Sequence, residues 1–219
     1  MKLPVLFILL IFTTFTFSQE NDERFNLEKG SFIFEGDFSV NTQNNELSLE
    51  GSQDSDSEQF NFSLAPKIGY AIDDNLILGL GLGYGYSKFE STPFSNQLNA
   101  TNESTSNSFS FFPYVKKFFP VGKKLAFHAQ GEVRFTFGNT SFENGDDIER
   151  DTDSNAIFIG FRPGFNYEIT NNILIHANFG SLGYTRFKNE GENDFEQESE
   201  SFRFDLGTST LQFGFALVF

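Results

Sequence analysis

A two-residue alternation, repeated along most of the chain, constrains the fold more than any other feature. Leu76 to Ser87 sets Leu76, Leu78, Leu80, Leu82, Tyr84 and Tyr86 against Ile77, Gly79, Gly81, Gly83, Gly85 and Ser87. Leu125 to Gly138 sets Leu125, Phe127, Ala129, Val133, Phe135 and Phe137 against Ala126, His128, Gln130, Glu132, Arg134 and Thr136. Successive side chains of a strand point to opposite faces, so these runs are strands with one apolar and one polar or small face. Related runs are Gly30 to Val40, Gln59 to Ile72, Asn107 to Phe119, Ala156 to Glu168, Ile173 to Phe187 and Ser201 to Phe219. Parity changes near Phe179 to Leu182 and between Leu206 and Leu211, where bulges can turn a face over.

The connections alternate as well. Asp73 to Asn75, Pro120 to Lys124 and Thr170 to Asn172 have the composition of tight turns. Between them lie long polar segments, 41–58, 90–106, 139–155 and 188–200. Eight strands joined in this way, with both ends on the short-turn side, predict an all-β, eight-stranded antiparallel up-and-down barrel. The 219 residues are enough for one domain. Pro113 and Pro163 fall inside strands and predict bulges or bends.

Such a barrel can face either way. A lipocalin-like barrel turns its apolar side inward, whereas a transmembrane barrel turns it outward. Gly79, Gly81, Gly83 and Gly85 would weaken a wet exterior, but inside a narrow barrel they leave room for larger neighbours. Composition agrees with the transmembrane form. The chain has 32 phenylalanines and a mean hydropathy of -0.30. It has no run near the roughly 18 apolar residues of a membrane helix. Tyr70, Tyr84, Tyr86, Tyr167, Phe118 and Phe119 are the expected aromatic girdles.

The N-terminus has the form of a secretory signal peptide. Lys2 is its positive region and Leu3 to Phe17 its apolar region. Thr16-Phe17-Ser18 places small residues for cleavage after Ser18, which leaves residues 19–219 as the mature barrel domain. With no cysteine, disulfides, thiolate metal sites and a lipidated cysteine are excluded. A net charge of -15 argues against nucleic-acid binding, which needs a basic footprint.

The final run, Leu211, Phe213, Phe215, Leu217 and Phe219, alternates to a terminal phenylalanine. With the strand layout, it resembles the small outer-membrane barrels of the OmpA-transmembrane, OmpX and OmpW kind, in the style of Bacteroidota. The resemblance implies a place in a bacterial outer membrane, with both termini periplasmic. It implies contact with membrane lipid and lipopolysaccharide. It also implies that barrel-assembly machinery reads the terminal run during biogenesis.

The inward parity collects Glu35, Asp37, Lys67, Lys116, Glu132, Arg134, Arg162 and Glu168. An eight-stranded barrel is only wide enough for its own side chains, and buried ions there must pair. A charge network that plugs the lumen is one outcome and an ion path the other. Glu132 and Arg162, on consecutive strands, are the expected pair, and Lys67 should stand beside Gly81. His128 and His176 also point inward, as hydrogen-bonded lumen residues or as a base or ligand. The outer-membrane lipid A deacylases place His and Ser two apart. Here His128-Ala129-Gln130 and His176-Ala177-Asn178 lack the serine, so no catalytic residue is predicted.

Most of the 30 acidic residues lie in the long polar segments. Asp146, Asp147, Glu149, Asp151 and Asp153 form one cluster, and Glu190, Glu192, Asp194, Glu196, Glu198 and Glu200 another. They make either a solvated surface, a weak calcium or magnesium site without EF-hand spacing, or a surface for basic partners. The expected function is a non-enzymatic envelope protein, a plugged barrel that displays acidic loops. A narrow channel for small solutes is the alternative, and a lipid-modifying enzyme the third.

Overall fold

A computed structural model describes residues 24–47, 55–92, 101–144, 148–191, 196–206 and 211–219. The signal segment lies outside these residues. The regular elements described are all strands: β1 Phe32–Leu47, β2 Ser55–Asp73, β3 Leu76–Thr92, β4 Asn102–Pro120, β5 Leu125–Asn144, β6 Ile148–Thr170, β7 Ile173–Asn178, β8 Ser181–Gly191, β9 Glu196–Asp205 and β10 Gln212–Val218. Each pairs antiparallel with its neighbour from β1 through β6. β6 then pairs with β7, β7 with β10, and β10 with β1. The sheet therefore closes on itself. β7 with β8 makes one stave and β9 with β10 another, so the barrel has eight staves.

Side chains face as an inverted core requires. Phe161 and Phe215 are each 58% exposed, while Lys67 is 2% and Lys116 0% exposed. An outward band of Phe, Leu, Ile and Tyr runs around the staves. No membrane-length apolar helix occurs among the described residues.

The strands run much further than the apolar runs alone suggest. The segments expected as long loops are largely strand, because β1 continues to Leu47, β3 to Thr92, β5 to Asn144 and β8 to Gly191. β6, with 23 residues, is about 75 Å long at ~3.3 Å per residue. A transmembrane strand needs only about 9–11 residues. Once the apolar part fixes a register, each further polar pair adds ladder bonds without a new loop closure. Cross-strand partners support the extension. Ser106 and Thr140 hydroxyls lie 2.7 Å apart, Ser141 Oγ donates to Asp151 Oδ1 at 2.7 Å, and Lys88 bridges Glu90 and Glu103 at 2.6 and 3.2 Å.

Irregularities fall at few places. Pro113 leaves the register unchanged, with Phe111 opposite Phe135 and Tyr114 opposite Glu132, so of the expected bulge or bend no bulge shifts the ladder there. Pro163 lacks an N–H to donate, and beside it the β7–β8 stave breaks at Phe179 and Gly180. Gly180 has φ 74°, which admits the left-handed turn. The second break, between β9 and β10, matters more. Among the described residues β10 pairs with β1 only up to Phe38 opposite Phe213. Above that level the described pairings are β1 with β2 and β9 with β8.

At the other end, the termini and short turns come together. Phe32 and Phe219 exchange backbone hydrogen bonds at 3.0 and 2.9 Å. Residues 24–31 cross the barrel mouth as a strap. Leu27 N donates to Asn75 Oδ1 at 2.9 Å, Asn75 N to Leu27 O at 2.8 Å, and Phe25 N to Gly122 O at 3.0 Å. Phe25 and Leu27 are buried. Nothing in the alternating runs indicates this strap.

Candidate functional site

The lumen holds two layers of ionic groups, one above the other. The lower layer starts on β1, where Glu35 and Asp37 are two apart and therefore share the inner face. Lys67, directly opposite Glu35 on β2, lies 3.0 Å from Glu35 Oε2 and 2.9 Å from Asp37 Oδ2. Lys116 of β4 closes an ion pair on Glu35 from across the lumen. His176 Nε2 reaches Asp37. Two carboxylates face two ammonium groups, and all four are buried. Pairing is required here, since an isolated buried ion costs several kcal/mol. Lys116 and Lys67 also stand over the Tyr114 ring, 5.8 and 5.9 Å from its centroid.

Glycines decide which side chains meet. His176 lies opposite Gly214 on β10, and Gly214 lies opposite Asp37 on β1. With no Cβ at Gly214, the imidazole passes over β10 and reaches the second strand across. His128 does the same over Gly164, with its Nε2 2.8 Å from Asn178 Oδ1 and its Nδ1 bonded to Asn166. The glycine row of β3 accommodates the aromatic residues of the adjacent β4. A Cβ at Gly79 would lie inside contact distance of the Tyr114 ring, and one at Gly81 inside the Phe112 ring.

The upper layer centres on Glu132. Arg162 Nε donates to Glu132 Oε1 at 2.8 Å, and Arg134 donates from Nε to Oε1 at 2.9 Å and from Nη2 to Oε2 at 3.3 Å. Gln130 Nε2 donates to Oε2 at 2.7 Å. Arg134 also donates to Ser110 Oγ at 3.3 Å and stacks 3.7 Å over Phe112. Side-chain exposure sets the polarity of this layer, with Glu132 at 0% and the two arginines at 20% and 24%. The carboxylate is sealed while the guanidinium groups look towards the long-hairpin side.

The remaining sequence candidates lie elsewhere. Lys67 stands opposite Gly81 in the ladder. Glu168 stands at the short-turn end, where its N–H bonds Lys124 O at 2.8 Å and a bulge follows, and it joins neither layer. Phe118 is not a girdle residue. It points inward, is buried, and packs 5.4 Å from Phe25, because the inner parity of β4 is Phe112, Tyr114, Lys116 and Phe118. The consecutive aromatics Phe118 and Phe119 concealed that parity. Phe213, Phe215, Leu217 and Phe219 face outward and Leu211 is half-buried. Among the described residues, the hydrogen-bond partners of the two histidines are Asn178, Asn166 and Asp37.

Of the acidic residues, Asp146, Asp147, Glu192 and Asp194 lie outside the described residues, as does the Glu149 side chain. Asp151 and Asp153 accept from Ser141 and Asn139, and Glu196 pairs with Lys188 at 2.9 Å. Among the described residues no three His, Asp or Glu side chains converge as metal ligands would. Sequence reasoning did not single out Tyr114, Phe112, Gln130, Asn166 and Asn178. Each lies in a ladder row beside a glycine, a charge or a histidine, a signal that needs the register.

A groove of about 680 Å³ lies on the outer face over Gly131, between Val115, Val133, Ile159 and Phe161. It belongs to the apolar exterior, not to the lumen. Outward apolar side chains, a closed ladder and paired ions within leave one reading of the architecture. This is a small transmembrane-type β-barrel.

No family model matches the sequence, and no curated protein matches it. Among solved structures, the chain is similar to a major outer membrane protein of Thermus thermophilus, with 14% identity, a TM-score of 0.48, and coverage of 88% of this chain and 100% of that one. It is similar to Neisserial surface protein A, with 16% identity, a TM-score of 0.41, and coverage of 86% and 99%. It is also similar to the outer membrane protein OprG of Pseudomonas aeruginosa, with 12% identity, a TM-score of 0.46, and coverage of 88% and 97%.

Proposed function

We propose that this chain is a non-enzymatic bacterial outer-membrane protein whose barrel is a closed anchor. In this reading residues 1–18 are its export signal, the termini and strap are periplasmic, and the projecting acidic hairpins bind partners at the cell surface. The terminal run ending at Phe219 serves assembly, and the outward aromatic band meets lipid and lipopolysaccharide. The supporting observation is the pair of ionic layers. A solute crossing the lumen has to separate Lys67 and Lys116 from Glu35 and Asp37, and Glu132 from both arginines. Each separation leaves buried charge uncompensated. The strap adds an apolar seal below, through Phe25 and Leu27.

Single-channel recording of the mature protein refolded into a planar bilayer tests this. The expected record has no steady conductance. Steady conductance that rises in Glu132→Ala or Arg162→Ala would overturn the closed reading and make the barrel a gated pore.

A further inference from the structure

The lumen above the ionic layers has a lining of its own. Below Arg134 the inward side chains are buried, among them Lys67, Lys116, Gln130 and Glu132. Above it the inward positions Ser39, Ser63, Ser108, Ser110, Thr136 and Ser154 are half-buried, so they line a space that water enters. The acids of the projecting strands sit on the other face. Glu58, Glu103, Glu143 and Asp153 share the parity of the outward residues Phe60, Phe109, Phe137 and Ile157. Successive side chains of a strand point to opposite faces, so this negative charge is turned away from the lumen. The upper lumen is a cup with hydroxyl walls and a floor of guanidinium groups.

The floor carries more cation than carboxylate. In the two layers and beside them on β9, the inward parity sets Glu35, Asp37, Glu132 and Asp205 against Lys67, Lys116, Arg134, Arg162 and Arg203 among the described residues. Arg134 commits Nε, Nη1 and Nη2 to Glu132 and Ser110. Arg162 meets Glu132 through Nε, and its side chain is the more open of the two at 24%. Its guanidinium stands 5.2 Å from the centre of the Phe158 ring. That ring is itself seated over Gly160 and Gly183, where a Cβ would fall 2.6 and 2.5 Å from it. Gln130 lies directly opposite Arg162 in the ladder and is 2% exposed. Its Nε2 donates to Glu132, while its Oε1 is buried without a hydrogen-bond partner. Such an oxygen is rare and calls for a donor. A guanidinium fork beside a buried acceptor fits a carboxylate with a neighbouring hydroxyl. We infer that the cup binds a small hydroxy acid of the sugar-acid class. Its carboxylate accepts from Arg162, an adjacent hydroxyl donates to Gln130 Oε1 directly or across one water, and the other hydroxyls meet the serine and threonine walls. The site lies above the seal, so the ligand enters and leaves by the long-hairpin mouth and the barrel stays closed.

The inference does not depend on partner binding by the hairpins. The probe is D-glucuronate, with D-glucose and acetate as comparisons. The protein is the full mature chain in lipid nanodiscs, binding is read by titration calorimetry, and empty nanodiscs set the background. The expected result is saturable binding of glucuronate. Glucose and acetate should each bind about tenfold more weakly or worse, because each keeps only one half of the recognition. Arg162→Lys keeps the charge and removes the planar fork, and should weaken glucuronate about tenfold or more. Gln130→Leu should weaken glucuronate and leave acetate unchanged. The heat-shifted gel band reports that each variant barrel is intact. A further readout needs no variant: glucuronate should protect Arg162 from modification by phenylglyoxal, followed by mass spectrometry.

Absence of saturable glucuronate binding would overturn the inference. Glucose bound as tightly as glucuronate would overturn the guanidinium anchor, and acetate bound as tightly would overturn the hydroxy-acid class. Unchanged affinity in Arg162→Lys, or binding that leaves Arg162 open to phenylglyoxal, would put the ligand elsewhere and overturn the site.

Discussion

Lys67→Met removes the ammonium at the centre of the lower layer while keeping a straight apolar stem. Lys67 is 2% exposed and bridges Glu35 at 3.0 Å and Asp37 at 2.9 Å. After the substitution, Lys116 still serves Glu35, and Asp37 retains only His176. The layer then carries one net negative charge in a space closed to water. Breaking a buried pair from one side costs about 3–5 kcal/mol, or two to three and a half decades in the folding constant. The double variant Lys67→Met, Asp37→Asn restores neutrality and should recover most of that loss. The assay is urea unfolding of the barrel in phospholipid vesicles, followed by the heat-shifted gel band and tyrosine fluorescence. A single-variant cost under about 1 kcal/mol would refute the account of a dry, obligatory pair. So would a double variant as unstable as the sum of the two singles.

Further predictions follow from other contacts. Gly81→Val should destabilise the barrel by about 1–3 kcal/mol through collision with Phe112, and adding Phe112→Ala should return part of the loss in the same unfolding assay. Phe25→Ala should release the strap, measured as faster amide exchange at Asn75 and faster proteolysis near residue 24, while the lumen stays closed to ions. The projecting hairpins should loosen in acid before the barrel does. Arg186 holds the Glu198 carboxyl below its ordinary range by a hydrogen bond, and Lys88 does the same for Glu90. A lowered folded-state pKa gives stability that is present above the unfolded value of about 4 and is lost as pH falls through the folded value. Amide exchange across 88–103 and 186–198 should therefore rise below about pH 4 while the apolar band stays protected.

The period-two runs, the glycine row and the strict alternation of connections show the barrel, its stave number and its inverted faces in the linear sequence. Each depends only on a strand's own geometry. Glu132 and Arg162 could be paired because they lie on consecutive strands at similar distances from the short turns. Boundaries were less legible. Serine, threonine and asparagine between the apolar runs look like loop residues in isolation, yet they extend hairpins whose register the apolar part has already fixed.

What the tertiary structure decided depends on relations among three or more strands. No local pattern shows that Gly214 lies between His176 and Asp37, or that Gly164 lies between His128 and Asn178. Nor does one show that the strap returns to Asn75 and Gly122. The split of the last stave into β9 and β10 is the clearest case. Alternation in Glu196–Asp205 resembles that of any other stave. Only closure of the ring shows that β10 pairs with β1 and β7 while β9 pairs with β8. The sequence by itself determined which face each strand turns outward, because that follows from alternation along one chain segment. The register around the whole barrel decided which side chains meet inside, because that depends on the offsets accumulated through every ladder.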